Sequence, residues 1–199
     1  VHPTYFENFE RIRIGKSQRE ILKTLSNQFT ELMEKEVPSD NPGLLTYDKY
    51  WQDIQNNKDL MSIPDVRTVK TVTDTIQDQI ESYFTGARAS KKEIANRIKN
   101  ACAIKAMQHD LTKKHGTNTE HLVDDLCLTD KMAFDRDFLI DIMDATAQQI
   151  ITATSGQYFD KSPENGEYFL RIEGGVNFDQ KIKDYAATMA DSQKDEFFF

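Results

Sequence analysis

The 199 residues are 38% apolar and carry 25 Lys and Arg against 33 Asp and Glu, a formal charge of −8. That content suits one core or two small ones, and no apolar run approaches the roughly 18 residues of a bilayer span, so a soluble, cytoplasmic chain with no membrane partner is expected. The charge is polarised: residues 1–118 hold 18 basic against 16 acidic side chains, while 119–199 hold 7 against 17, which suits docking of the two halves or a basic partner.

In chain order, Ser17 and Glu20 have capping-box spacing, and Ile21, Leu22, Leu25, Phe29, Leu32 and Met33 then mark one helical face. Pro38 and Asn41-Pro42-Gly43 stop that helix. Thr46 is placed to cap a short helix with Tyr47, Tyr50, Trp51 and Ile54 on one side, a hydrophobic plug. From Pro64 onward, Val66, Val69, Val72, Ile76, Ile80 and Phe84 recur every three or four residues, a helical stripe closed by Gly86.

Residues 90–172 read as three helices followed by one tight hairpin, the order of a winged-helix domain. Ser90 and Glu93 repeat the capping box for a helix over 91–114, whose buried face is Ile94, Ile98, Ala101 and Cys102. Lys105 falls on that face and must snorkel, or the helix must bend. Thr117-x-x-Glu120 opens a second helix over 120–128, and Phe138, Leu139, Ile142, Met143, Ile150 and Ala153 mark a third over 137–155, ended by Gly156. Strands at about 157–161 and 167–172 fold about Asn165-Gly166, a pair that tolerates the positive φ of a tight turn. A last helix is expected at about 178–191. The predicted fold is therefore mainly α: a helical lid-like lobe over 1–85, a winged-helix domain with one β-hairpin over 86–176, and a C-terminal helix within 177–199 leading onward. The opening Val1-His2-Pro3 and the closing Phe197-Phe198-Phe199 suggest a piece of a larger protein.

Motifs for chemistry are sparse. Gly15-Lys16-Ser17 resembles the end of a phosphate loop, but Glu10 stands where the motif needs Gly, so a turn into a capped helix is expected. His2, His109, His115 and His121 have no zinc spacing with Cys102 or Cys127, and both cysteines read as core thiols. Asp137, Asp141 and Asp144 share one side of the third helix, a solvated or partner-facing stripe in preference to a metal site. With the hairpin offering Lys161 against Asp160, Glu164 and Glu167, that stripe disfavours ordinary major-groove reading. The basic residues lie elsewhere. Arg88, Lys91, Lys92, Arg97, Lys99, Lys105, Lys113 and Lys114 are opposed within 86–114 only by Glu93 and Asp110, and this segment suits either phosphates or the adjacent acidic lobe.

Four strings carry a family resemblance: His2-Pro3-Thr4-Tyr5-Phe6, Asn41 through Trp51, Asp125-Leu126-Cys127-Leu128, and Gly156 through Leu170. They resemble an internal stretch of the very large P-loop, AAA+-like ATPases of BREX-type bacteriophage-exclusion systems. The resemblance implies a parent that binds ATP and Mg²⁺ upstream, with no cofactor held in this segment. It also implies a non-catalytic role, coupling nucleotide state to other phage-defence subunits, to copies of the parent or to DNA. Arg11 and Arg13, near the implied ATPase boundary, are candidates for acting on a neighbour's nucleotide. Two other readings stand beside it. One is a nucleic-acid module using Arg88, Lys91, Lys92, Lys113 and Lys114; the other is a plain protein-interaction domain using Tyr47, Tyr50 and Trp51 or the acidic helix.

Overall fold

The computed structural model of the chain describes residues 1–12, 18–33, 36, 43–108, 115–131 and 133–172. Among these residues the protein is mainly helical, with one two-stranded antiparallel sheet. Arg13, the Gly15-Lys16-Ser17 string, Lys113, Lys114, the expected helix over 178–191 and the Phe triplet lie outside the described residues.

The fold opens with a helix that the sequence reading does not predict, α1 (Pro3–Arg11). Pro3 takes a first-turn position, where no N–H is lost, and the His2 ring accepts from the Thr4 N–H. Tyr5 and Phe9, one turn apart, face inward, and the Phe9 ring lies 4.4 Å from that of Tyr50.

Helix α2 (Gln18–Met33) forms as expected, but among its described side chains, 23–33, the apolar face does not dock as predicted. Phe29 and Met33 are exposed, Leu25 packs only partly against the core, and Gln28 is buried. The reason is polar. The Tyr5 hydroxyl donates to Gln28 Oε1 at 3.0 Å, and Gln28 Nε2 donates to Asp53, so an amide fills the slot between two groups that need hydrogen bonds.

The predicted plug is core. A 3₁₀ turn (Tyr47–Lys49) leads into α3 (Tyr50–Asn56), and Tyr47, Tyr50, Trp51 and Ile54 are all buried, so they offer no interaction surface. Thr46 does not cap this turn through its side chain; its hydroxyl donates to Asp48 Oδ1 at 2.5 Å instead. Helix α4 (Pro64–Tyr83) then buries Val66, Val69, Val72, Ile76 and Ile80 as its stripe requires, with Phe84 just beyond its end.

Helix α5 (Lys92–Ala106) is the hub, with Ile94, Ala95, Ile98, Ala101, Cys102, Ala103 and Ile104 all buried. A helix apolar on most sides must be covered on most sides. Ser90 is not its cap: the 3₁₀ turn Gly86–Lys91 runs directly into α5, so the extended backbone that a serine cap needs is absent. Helix α6 (Thr119–Leu126) is capped by Asn118, whose side chain accepts from the His121 N–H at 2.9 Å. Thr117 is unavailable for that role because its backbone pairs with Tyr168. Helix α7 (Arg136–Ala153) is capped by Asp135 and stops where Ser155 and Gly156 take positive φ.

Strands β1 (Phe159–Lys161) and β2 (Tyr168–Leu170) pair in the register Phe159↔Leu170, Asp160↔Phe169 and Lys161↔Tyr168. The loop between them is longer than a two-residue turn. The Ser162 N–H donates to Glu167 O, and only Gly166 adopts positive φ, +70°. The Thr117↔Tyr168 bridge ties the segment between α5 and α6 to β2. One buried cluster runs from Tyr5 to Leu170, crossing residue 85 without a break.

Gly116 lies close against the β2 backbone: a Cβ added there would lie 1.8 Å from the Tyr168 carbonyl oxygen. Relief requires moving β2. Gly116→Ala should therefore destabilise the fold by about 3 kcal/mol, read by urea denaturation; a change under about 0.5 kcal/mol would contradict this packing.

Candidate functional site

Of the cations in the basic 86–114 segment, the described ones, Arg88 to Lys105, each have a partner within the chain. The Arg88 guanidinium lies 4.4 Å from the Tyr83 ring centroid. Lys91 pairs with Asp130, Lys92 pairs with Glu81 at 2.7 Å, and Lys99 donates to Gln77. Lys105 snorkels, its ammonium lying 5.1 Å from the Tyr47 ring centroid, and burial lowers its pKa.

Arg97 makes the most extensive set. Its Nε donates to Asp48 Oδ2 at 2.8 Å, and its Nη2 donates to Thr46 Oγ1 at 2.9 Å and to the Leu126 carbonyl at 2.6 Å. Leu126 ends α6, so the guanidinium meets one of the carbonyls that a helix terminus leaves without an internal partner.

The three aspartates of α7 separate. Asp137 and Asp141 are exposed, but Asp144 accepts from the Tyr168 hydroxyl at 2.6 Å, Lys161 Nζ at 2.7 Å and Thr119 Oγ1 at 3.2 Å. Burial raises its pKa, and those hydrogen bonds with the Lys161 charge outweigh it, so the net shift is downward. Asp144 therefore anchors α7 to the hairpin. Asp160 is likewise engaged by Arg171.

Neither cysteine points to chemistry. Cys102 is fully buried, donates to the Tyr168 carbonyl and has its pKa raised by burial. Cys127 corrects the prediction of two core thiols: it is half-buried and caps α6 in a left-handed conformation, φ 48°. Among the described histidines, His2 caps α1, and exposed His121 lies 3.7 Å from Asp125. Among the described residues no three His, Cys, Asp or Glu side chains are grouped to hold a metal ion. Arg11 is exposed at the end of α1. No helix of the described residues is long and apolar enough to cross a membrane.

A cleft of about 450 Å³ lies between α5 and the Tyr47–Asn56 segment. Asp48, Lys49 and Gln52 form one wall, and Lys92, Asn96 and Asn100 the other. Sequence reading misses it because amides carry no motif; the i, i+4 spacing of Asn96 and Asn100 is the only trace.

Residues 1–176 match a family described as the DUF6079 second domain. The chain belongs to that family. The match spans every described residue, so this DUF6079 second domain takes in α1 through β2 as one unit of sequence. No curated protein and no solved structure matches the chain.

Lys99 supplies a test of the interior. It is 7% exposed, and burial lowers its pKa to about 8 from 10.5. Between pH 8 and 10.5 the unfolded chain holds a proton that the folded chain has released, so stability contributed at this site rises with pH. Lys99→Met should stabilise the protein at pH 7 by on the order of 2 kcal/mol, an advantage that shrinks as pH climbs through that window. A pH-independent difference between the two melting curves would contradict the burial of this ammonium.

Proposed function

We propose that this chain is a non-catalytic interaction segment of a large phage-defence ATPase. In this reading a helical lid-like region over 1–85 precedes a winged-helix domain over 86–176. The observation that carries it is the use of charge within the chain. Arg88, Lys91, Lys92, Arg97, Lys99 and Lys105 each meet a ring, carboxylate, carbonyl or amide of their own chain. A duplex reader needs such cations turned toward phosphates. The exposed charge of α7 at Asp137 and Asp141 is of the sign that repels phosphates and attracts cationic protein surfaces.

The order α5, a single bridge at Thr117, α6, α7 and a hairpin supports the winged-helix assignment. The family description as a second domain, with the four sequence strings, supports a larger parent. ATP and Mg²⁺ belong elsewhere in that parent, and the partners of this segment are other defence subunits or copies of the parent. Arg11, exposed at the end of α1, is placed where a neighbouring subunit could reach it.

The isolated chain should hydrolyse no ATP, show no ATP-dependent thermal shift, and give a flat anisotropy titration against a short DNA duplex at low salt. ATP hydrolysis would overturn the reading. Duplex binding that falls steeply with salt, and is lost when Lys91, Lys92, Lys113 and Lys114 become Glu, would replace it with the nucleic-acid module.

A further inference from the structure

Helix α7 turns one side away from the core. At 3.6 residues per turn, Asp137, Asp141, Ala145 and Phe138 fall within about 100° of its circumference, while Met143, Thr146, Ala147 and Ile150 lie opposite and are buried. Asp137, Asp141 and Ala145 are exposed, and Phe138 is half-buried. Just before the Asp135 cap, Phe134 stacks on Phe138, with ring centroids 4.7 Å apart and planes at 20°. An apolar residue in that place staples a helix by packing on its first turn. Phe134 exceeds that need: it is 80% exposed, so the stack leaves most of its ring in water.

The charge around the aromatic pair selects its occupant. Residues 130–141 hold Asp130, Asp135, Asp137 and Asp141 against Lys131 and Arg136. Asp130 pairs with Lys91 and Arg136 with Asp124, and the Asp135 carboxylate accepts from the Phe138 N–H. With those two partners included, five carboxylates stand against three cations, and Asp137 and Asp141 enter none of these pairs. Phosphate surfaces, whether nucleic acid or anionic lipid, are repelled by such a face, and a purely apolar partner would strip its carboxylates of water without compensation. A guanidinium meets both features at once. It lies flat on an aromatic face, whose quadrupole is negative, and its edge donates two parallel N–H groups to a carboxylate. An ammonium is more strongly hydrated and lacks the planar fork.

We propose that this face of α7 docks an arginine-bearing basic segment of a partner protein, its guanidinium stacking on Phe134 and pairing with Asp137 or Asp141. The inference rests on the protein-interaction reading above and gives it a site and a partner chemistry. That reading would fail through ATP hydrolysis or duplex binding, neither of which the following titration measures.

The test is fluorescence anisotropy of the full chain against a fluorescein-labelled pool of Arg/Ser/Leu peptides about ten residues long, enough extended chain to cross the helix. Matched pools carry Lys or Glu in place of Arg. The Arg pool should bind about threefold or more tighter than the Lys pool, and the Glu pool should not bind. Phe134→Ser should weaken the Arg pool by about threefold or more, bring it level with the Lys pool, and melt within about 4 °C of the wild type, since so exposed a ring adds little to the core. Asp137→Asn with Asp141→Asn should weaken both basic pools roughly tenfold. Asp78→Asn with Glu164→Gln removes the same charge from other exposed positions and should leave the Arg pool within about twofold. Absence of Arg-pool binding, binding unchanged by Phe134→Ser, a larger fall in that variant's melting temperature, or equal weakening by the two carboxylate pairs would overturn the proposal. A dimer of the chain alone that Phe134→Ser dissolves, seen by sedimentation, would assign the face to a second copy and overturn it as well.

Discussion

The Arg97 guanidinium is the interaction on which the architecture turns. It reaches from the hub helix to Thr46 and Asp48 on one side and to the last carbonyl of α6 on the other. Asp48 is 1% exposed, so its charge is tolerable only beside a fixed cation. One side chain thus satisfies a buried carboxylate, a threonine hydroxyl and a helix end. Three stretches of sequence far apart in the chain are held by it, and one of them leads into the buried plug of Tyr47, Tyr50 and Trp51.

The basic stretch that includes this helix engages its described cations within the chain. Its cations are drawn in two directions: Lys91 meets Asp130 on the acidic side, while Lys92 meets Glu81 and Arg97 meets Asp48 on the N-terminal side. The docking of acidic and basic halves expected from composition is therefore only part of the pattern. Most of the compensation is local to the α4, α5 and Tyr47–Asn56 neighbourhood. At the other end of the molecule, Asp144 gathers Tyr168, Lys161 and Thr119 and fixes the hairpin against α7. Charged side chains act as fasteners at both ends, and the exposed remainder on α7 is acidic.

Legibility in the sequence followed the physics of each signal. The stripe from Val66 to Phe84 has a period that only a helix explains, and its burial matches. The Tyr47 to Ile54 plug and the hairpin were readable for similar reasons, through periodicity and turn chemistry. Caps were less so: Ser90, Thr117 and Thr46 have suitable side chains, but a cap needs extended backbone and a free hydroxyl, and neighbouring contacts claimed those. Helix α1 was missed because nine residues give too short a window, although Pro3 followed by Tyr5 and Phe9 was the available signal. The face of α2 misled because Gln28 docks through hydrogen bonds, which hydropathy does not register. The cleft was invisible for a related reason, since amides at i and i+4 resemble any solvated helix face until burial distinguishes them.

Urea unfolding followed by the fluorescence of Trp51, the only tryptophan, reads the Arg97 contact most directly in the wild type, Arg97→Met, Asp48→Asn and the double variant. Arg97→Met should lose about 3–5 kcal/mol because it strands Asp48 uncompensated, and adding Asp48→Asn should restore a good part of that loss. If Arg97→Met unfolds within about 0.5 kcal/mol of the wild type, or the two substitutions simply add, then the guanidinium does not join these segments.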